Sequence, residues 1–273
     1  MRDTDCTAFL QWCLPRLGMR WAGYRRVRRQ VCKRIGRRLK DLGLAGVSAY
    51  RRYLETHPAE WSRLDGFCRI TVSRFYRDKG VFAGLERHVL PALARQAAAR
   101  GQAGLRCWCA GCASGEEPYS LNILWQLGPG RDFPRLSLTI VATDADPVLL
   151  ERARAGCYGP GSLRDVPAGW LDTAFEHSGG VYRLRPAFRR NVAFRRQDIR
   201  QRLPGGEFDL VLCRNLAFTY FDEAGQGRVL GRLARRLRPG GVLVVGRRET
   251  LPQSETFMPS AGAPGLYRKR NDG

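Results

Sequence analysis

Residues 105–120 read LRCWCAGCASGEEPYS, and this stretch decides the fold. The run 105–110 is short and apolar, the pattern of a buried strand. It ends in Gly111-Cys112-Ala113-Ser114-Gly115, where the two glycines let the backbone turn tightly and approach a ligand closely. Helical character resumes over 116–127. The same alternation repeats downstream. LTIVA (138–142) predicts a strand, followed by Thr143-Asp144 and a helix over 146–155 with Pro147 well placed in its first turn. FDLVLC (208–213) predicts another buried strand, 225–237 a helix closed by Arg238-Pro239-Gly240-Gly241, and VLVV (242–245) the next strand. Strands alternating with helices imply an α/β fold with a parallel, Rossmann-like sheet and ligand sites at the strands' C-terminal ends.

Working outward towards the N-terminus, the pattern changes to helices alone. In WAGYRRVRRQVCKRIGRRLKDL (21–42), Trp21, Tyr24, Val27, Val31, Ile35, Leu39 and Leu42 recur at helical spacing. Arg25, Arg26, Arg29, Lys33 and Arg37 lie off that stripe, and Gly43 is a stop signal. Two readings of the basic face stay open: a solvated face of a core helix, or a docking surface for an acidic helix or for phosphates. A further helix begins at Ser48, Pro58 interrupts it, and another follows over 59–69. The expected organisation is a helical domain over 1–78 and a ligand-binding α/β domain over 79–273.

Composition narrows the function classes. The chain has 273 residues, 44% hydrophobic and 26% charged, which excludes a wholly disordered protein. No apolar run reaches the roughly eighteen residues of a membrane span, and no signal peptide is read, so neither membrane insertion nor export is expected. Nine cysteines without a secretion signal predict reduced thiols and a cytoplasmic location. Lys plus Arg is 47 against 25 Asp plus Glu, and residues 1–40 alone hold twelve basic and two acidic groups. That patch is expected to attract an acidic partner, and nucleic acid is one candidate on charge alone. Cys107, Cys109 and Cys112 form C-x-C-x-x-C, but no second cluster supplies a fourth ligand at metal-site spacing. Packing in the sheet is the preferred reading, and no metal is expected.

Each expected strand end carries polar candidates. Glu117 and Ser120 follow the glycine turn. Asp144 follows the second strand, where a carboxylate can accept both hydroxyls of a ribose or cap a helix. Asp198 could accept from an exocyclic amine, and Arg214 and Asn215 end FDLVLC. The glycine spacing is not GxGxxG, and no GxxxxGK[ST] loop is present, which argues against a P-loop nucleotidase. A nucleoside-bearing cofactor is the common explanation.

Four segments, ITVSRFYRD (70–78), CAGCASGEEPYS (109–120), VATDADPVLLERARAGCY (141–158) and FDLVLCRN…YFDE (208–223), resemble the CheR-type chemotaxis receptor methyltransferases, which are S-adenosylmethionine-dependent protein-glutamate O-methyltransferases. RLRPGGVLVVG (236–246) and GVSAYRRYLETHP (46–58) add to the resemblance. It implies that S-adenosylmethionine lies across the strand ends and leaves as S-adenosylhomocysteine. Thr71, Ser73 and Arg77 would reach it, with Gly111 in the turn beside it. Glu117 would lie near its amino-acid portion and Asp144 on the ribose. Asp198 and Ile199 would flank the adenine, and Arg214 and Asn215 the methionine moiety. Arg77 would orient the accepting carboxylate and Tyr220 stand close to the transferred methyl. The implied partner is an acidic protein, a receptor's helical signalling region met by the basic helix 21–42. Nucleic acid is not an expected partner.

The chain departs from the family pattern at three places. Thr71 and Ser73 stand where Asn and Thr are usual, and Arg247 in GRRE (246–249) where His is usual. Four residues separate Asn215 from Tyr220 instead of three, so either Thr219 or Tyr220 takes the tyrosine's place. A non-chemotaxis acceptor and a binding module without transfer therefore remain alternatives. The family also inserts a small antiparallel subdomain, expected here at about 175–196. Residues 181–195 could form two of its strands or a plain hairpin.

Overall fold

The computed structural model of the chain describes residues 2–260 and 264–270, so parts of the expected 79–273 domain lie outside the described residues. Two compact units result. One comprises Met1–Val72 with Thr219–Gln226, the other Ser73–Phe218 with Gly227–Gly273. The division falls at 72/73 where the sequence suggests 78/79, and the segment 219–226 groups with the N-terminal helices.

The helical unit contains α1 (Asp3–Arg16), α2 (Trp21–Tyr24), α3 (Arg28–Asp41), α4 (Val47–Thr56) and α5 (Pro58–Cys68). The apolar stripe does form its core: Tyr24, Val31, Ile35 and Leu39 are buried, and Trp21, Val27 and Leu42 pack against them. The stretch 21–42 is nevertheless two helices. Long-range anchors hold the α2 turn apart. The Tyr24 hydroxyl donates to the Cys68 carbonyl at 3.0 Å, and the Arg20 N–H donates to the Tyr220 carbonyl at 2.9 Å. A side chain at Gly23 would place its Cβ 2.2 Å from the Thr219 carbonyl oxygen. No periodicity records such contacts. Pro58, expected as an interruption, opens α5 at its first turn, where its missing N–H costs nothing.

Cys6 and Cys32 form a disulfide between α1 and α3, with Cα atoms 6.0 Å apart, which corrects the expectation of nine free thiols. Compartment reasoning weighs the average cysteine. It says nothing of two that adjacent helices bring together. A largely buried bidentate pair, Arg38 on Glu60 at 2.8 Å for both bonds, ties α3 to α5, and the Tyr50 hydroxyl donates to the same carboxylate.

The α/β unit opens with α6 (Lys79–Gly84), a π-helical turn (Leu85–Val89) and α7 (Leu90–Ala99). Next come β1 (Gly104–Ala110), α8 (Glu116–Leu127), β2 (Ser137–Asp144), α9 (Pro147–Ala155), β3 (Cys157–Tyr158), α10 (Pro160–Leu163) and α11 (Ala168–Ala174). The chain continues with β4 (Phe175–Ser178), β5 (Val181–Leu184), β6 (Val192–Arg196), β7 (Phe208–Leu212), α12 (Ala217–Tyr220), α13 (Glu223–Ala234), β8 (Leu237–Val244), β9 (Phe257–Pro259) and β10 (Leu266–Lys269). The main sheet has the order β6-β2-β1-β7-β8-β10-β9. Its first five strands are parallel, and β10 and β9 return antiparallel. From β1 the chain winds outward to β2 and β6, then returns to build β7 and β8 on the other side. The reversal lies between β1 and β7, the place where such sheets open a crevice for ligands.

A small antiparallel sheet, β3-β5-β4, accompanies it. Only 181–184 of the stretch 181–195 belongs there. Residues 192–196 pair in parallel with β2 as the edge of the main sheet, which corrects the assignment of 175–196 to one insertion. The Arg-rich sequence of β6 masks a main-sheet strand because an edge strand needs no continuous apolar run. Likewise β8 begins at Leu237, inside the segment read as a helix closure. An Arg238–Asp209 pair at 2.9 Å holds it there, and a Cβ at Gly241 would sit 2.9 Å from the Arg238 carbonyl.

Candidate active site

The site residues of the α/β unit arise where β1, β2, β6 and β7 end. After β1, the N–H groups of Gly111 and Cys112 donate to the Thr143 carbonyl of β2 at 2.8 and 3.0 Å. This locks the glycine turn onto the neighbouring strand. Gly111 and Gly115 take φ of +72° and +89°, and a Cβ on Gly111 would meet Leu216 at 2.7 Å. The turn then presents the Ala113 N–H to Asp144 Oδ2 at 2.9 Å, while the Asp146 N–H donates to Oδ1 at 2.9 Å. Helix capping is the work of Asp146, which accepts from the N–H groups of Val148 and Leu149. The structure therefore separates the two roles the sequence left open for the acid after β2. Asp144 is fixed at the strand end by an amide on each oxygen.

Four non-glycine residues among those described take positive φ: Tyr76 (52°), Asp78 (62°), Ala113 (47°) and Asn215 (52°). All four flank residues singled out from the sequence. Left-handed backbone at non-glycine positions persists only where its surroundings over-determine it, and it gathers at functional sites.

The centre of the arrangement is Arg214, which is 6% exposed at the end of β7. Its Nη1 donates to Glu117 Oε2 at 2.9 Å. Its Nη2 donates to the Arg77 carbonyl at 2.7 Å and to Asp78 Oδ2 at 2.8 Å. Its guanidinium carbon also lies 5.4 Å from the centre of the Phe82 ring. One buried cation thus ties the first turn of α8 to the left-handed segment around Arg77. Burial raises the Glu117 carboxyl above the ordinary 4.5, opposed by the charges of Arg214 and Arg77. Burial also raises neighbouring Glu116, opposed by its own backbone amide and by the hydroxyls of Ser73 and Ser162.

Asn215 is braced by Glu249, whose Oε2 accepts the backbone N–H groups of Asn215 at 2.7 Å and Gly246 at 2.6 Å. Neither Glu249 nor Asp78 was singled out from the sequence. Arg247 of the GRRE segment is exposed, whereas the acid at its end is buried. The Ser120 hydroxyl donates to the Glu116 carbonyl at 2.6 Å and accepts the Tyr76 N–H at 3.0 Å. Asp198 accepts the Arg200 guanidinium at 2.7 Å, and Arg232 donates to the Ile199 carbonyl at 2.9 Å, which fixes the segment after β6. Thr71 and Tyr220 belong to the helical unit, where the Tyr220 ring lies 5.0 Å from that of Tyr24. Thr219 uses its carbonyl to accept from Arg20 Nε at 3.1 Å.

Cys107, Cys109 and Cys112 are buried, and burial raises all three thiols well above their ordinary value, as packed side chains require. Among the described residues no helix is long and apolar enough to cross a membrane, and no group of three His, Cys, Asp or Glu side chains could hold a metal ion. The donor set fits S-adenosylmethionine. Asp144 offers a fixed carboxylate for a pair of hydroxyls, Glu117 a second carboxylate for an ammonium group, and the glycine turn a backbone that permits close approach.

A family described as CheR methyltransferase, SAM binding domain, matches residues 71–264. An uncharacterized 104.1 kDa protein of Rhodobacter capsulatus is 35% identical over 82% of this chain and 23% of its own length. The chemotaxis protein methyltransferase of Listeria monocytogenes is 36% identical over 67% of this chain and 66% of its own. That of Klebsiella aerogenes is 32% identical over 93% and 85%. The chain thus spans about a quarter of the first relative and just under two thirds of the second. With the fixed Asp144 carboxylate at the strand end and the Arg214 clamp beside the sheet reversal, these matches place the chain in the CheR methyltransferase family.

Proposed function

We propose that this chain transfers a methyl group from S-adenosylmethionine to glutamate side chains of a chemoreceptor-like protein. The observation that carries the cofactor half is Asp144, held by an amide on each oxygen at the C-terminal end of β2. The acceptor half is supported by the relatives called chemotaxis protein methyltransferases.

The cofactor supplies an electrophilic methyl group. Asp144 accepts the ribose hydroxyls. Glu117, with Oε2 on Arg214, offers Oε1 to the ammonium group of the amino-acid portion. Arg77, its backbone pinned by Arg214 and flanked by two left-handed residues, orients the accepting carboxylate by charge and paired N–H donors. A glutamate is already ionised at neutral pH, so direct displacement needs alignment and exclusion of water and no strong base. Thr71, Ser73, Gly111, Asp198, Ile199, Arg214 and Asn215 complete the proposed cofactor set, and Tyr220 is the proposed group near the methyl.

The acidic partner is proposed to meet α3. Arg28, Arg34 and Arg38 are committed to Asp3, to the Phe67 and Arg69 carbonyls, and to Glu60. Arg25, Arg26, Arg29, Lys33 and Arg37 are exposed. A cytoplasmic location accords with such a partner. A second reading keeps the cofactor but not this acceptor. It is favoured by Tyr220, whose ring packs against the helical core beside Tyr24.

Calorimetric titration with S-adenosylhomocysteine tests the cofactor half. One site of about micromolar affinity or tighter is expected. Label transfer to the glutamates of a receptor cytoplasmic fragment then tests the acceptor half. Binding without transfer would leave the second reading.

A further inference from the structure

The sequence 177–197 contains six arginines and no acid, and the proposed methyl transfer uses none of them. Three arginines line one open cleft of about 360 Å³ in the α/β unit. It is lined by Tyr119 of α8, Phe194 of β6, Pro186 and Val192 together with Arg154, Arg189 and Arg190. Two of the guanidiniums are held in place by backbone. Arg154 donates to the Phe194 carbonyl at 3.2 Å, and Arg189 donates to the Arg154 carbonyl. Each bond uses one N–H group of an arginine that carries five. Among the described residues no carboxylate forms an ion pair with Arg154, Arg189 or Arg190, although Arg185 close by in the sequence is paired with Glu176.

We propose that this cleft binds a nucleoside phosphate, at a site distinct from the one around Asp144. The guanidiniums match a phosphate group, which they can hold through paired N–H donors. The Tyr119 and Phe194 rings, edge to face with centres 5.5 Å apart, add aromatic surface for a ring system to lie against. The volume lies in the range of small-ligand sites, about 300–1,000 Å³. Among the described residues no carboxylate balances this charge, and aromatic and aliphatic side chains line the same cleft, so a ligand carrying both an anion and a ring system suits both. The same two rings pack on the cofactor turn from behind. An ideal Cβ on Gly115 would lie 3.1 Å from Phe194 and 3.2 Å from Tyr119.

The test is calorimetric titration of the full chain, saturated with S-adenosylhomocysteine, with ADP and separately with inorganic pyrophosphate. ADP is expected to fill one site and to bind at least about tenfold more tightly than pyrophosphate, because only ADP covers the aromatic and aliphatic side chains. Arg154→Gln with Arg190→Gln, both at exposed positions, is expected to weaken ADP binding by at least about tenfold with melting temperature and S-adenosylhomocysteine affinity unchanged. Failure of ADP to bind, equal affinity for pyrophosphate, or ADP affinity indifferent to the two substitutions would overturn the proposal. So would a glutamate-rich peptide that binds as tightly as ADP with the same dependence on Arg154 and Arg190, since the surface would then serve a protein. The S-adenosylhomocysteine titration alone reports on the cofactor site, so the two proposals fail separately.

Discussion

Glu249 holds Asn215 through the backbone: its Oε2 accepts the Asn215 N–H at 2.7 Å and, with the same atom, the Gly246 N–H at 2.6 Å. Glu249→Ala would leave both donors without that partner, a loss of about 2–4 kcal/mol in unfolding free energy. Glu249→Gln keeps a carbonyl oxygen that can accept and should lose less than half as much. Urea denaturation measures both. S-adenosylhomocysteine affinity should fall in the alanine variant and largely return in the glutamine variant.

Asp144→Ala should weaken S-adenosylhomocysteine binding by about a hundredfold. It removes two hydrogen bonds to a charged acceptor and frees the Ala113 N–H that shapes the turn. Titration calorimetry gives the ratio directly, and an unchanged affinity would remove the cofactor assignment.

Arg77→Ala separates binding from transfer. Its backbone carbonyl, which Arg214 holds, survives the substitution, so the local fold should persist. Methyl transfer should fall by about a hundredfold or more while S-adenosylhomocysteine affinity changes only a few-fold. Equal losses in both would make Arg77 a cofactor residue only.

Acid should weaken cofactor binding earlier than an ordinary carboxylate predicts. Burial raises Glu117 above 4.5, so its ionised form, which the ammonium group needs, is lost as pH falls through that raised value. The same shift acts on folding with the opposite sign: the protonated carboxyl stabilises the fold below 4.5, and that contribution disappears as pH rises through the folded value. Glu60 behaves in reverse. Arg38 lowers its carboxyl, so its stabilisation is present above 4.5 and is lost as pH falls through the folded value. S-adenosylhomocysteine affinity measured against pH in the wild type and in Glu117→Gln checks the first statement: the variant should bind weakly with a flatter acid limb.

Thiol titration of the unfolded, unreduced chain should count seven cysteines, and nine after reduction. A count of nine without reduction would show that Cys6 and Cys32 are not joined.

Elements whose signal is local are legible in the amino-acid sequence. The apolar run before Gly111, the helix after Gly115 and the stripe from Tyr24 to Leu39 each depend on spacing within one segment, and each is present in the structure. Asp144 and Arg214 were legible as site candidates because a strand end announces itself in sequence. Everything set by partners distant along the chain depends on the folded arrangement instead. The break between α2 and α3 comes from contacts of the Arg20–Tyr24 region with Cys68 and with residues 219–220. The place of 192–196 in the main sheet comes from pairing with β2, the Cys6–Cys32 bond from two neighbouring helices, and the brace on Asn215 from an acid 34 residues away. Periodicity records which face of a segment is apolar. It does not record which remote carbonyl, carboxylate or thiol the folded chain will set against it.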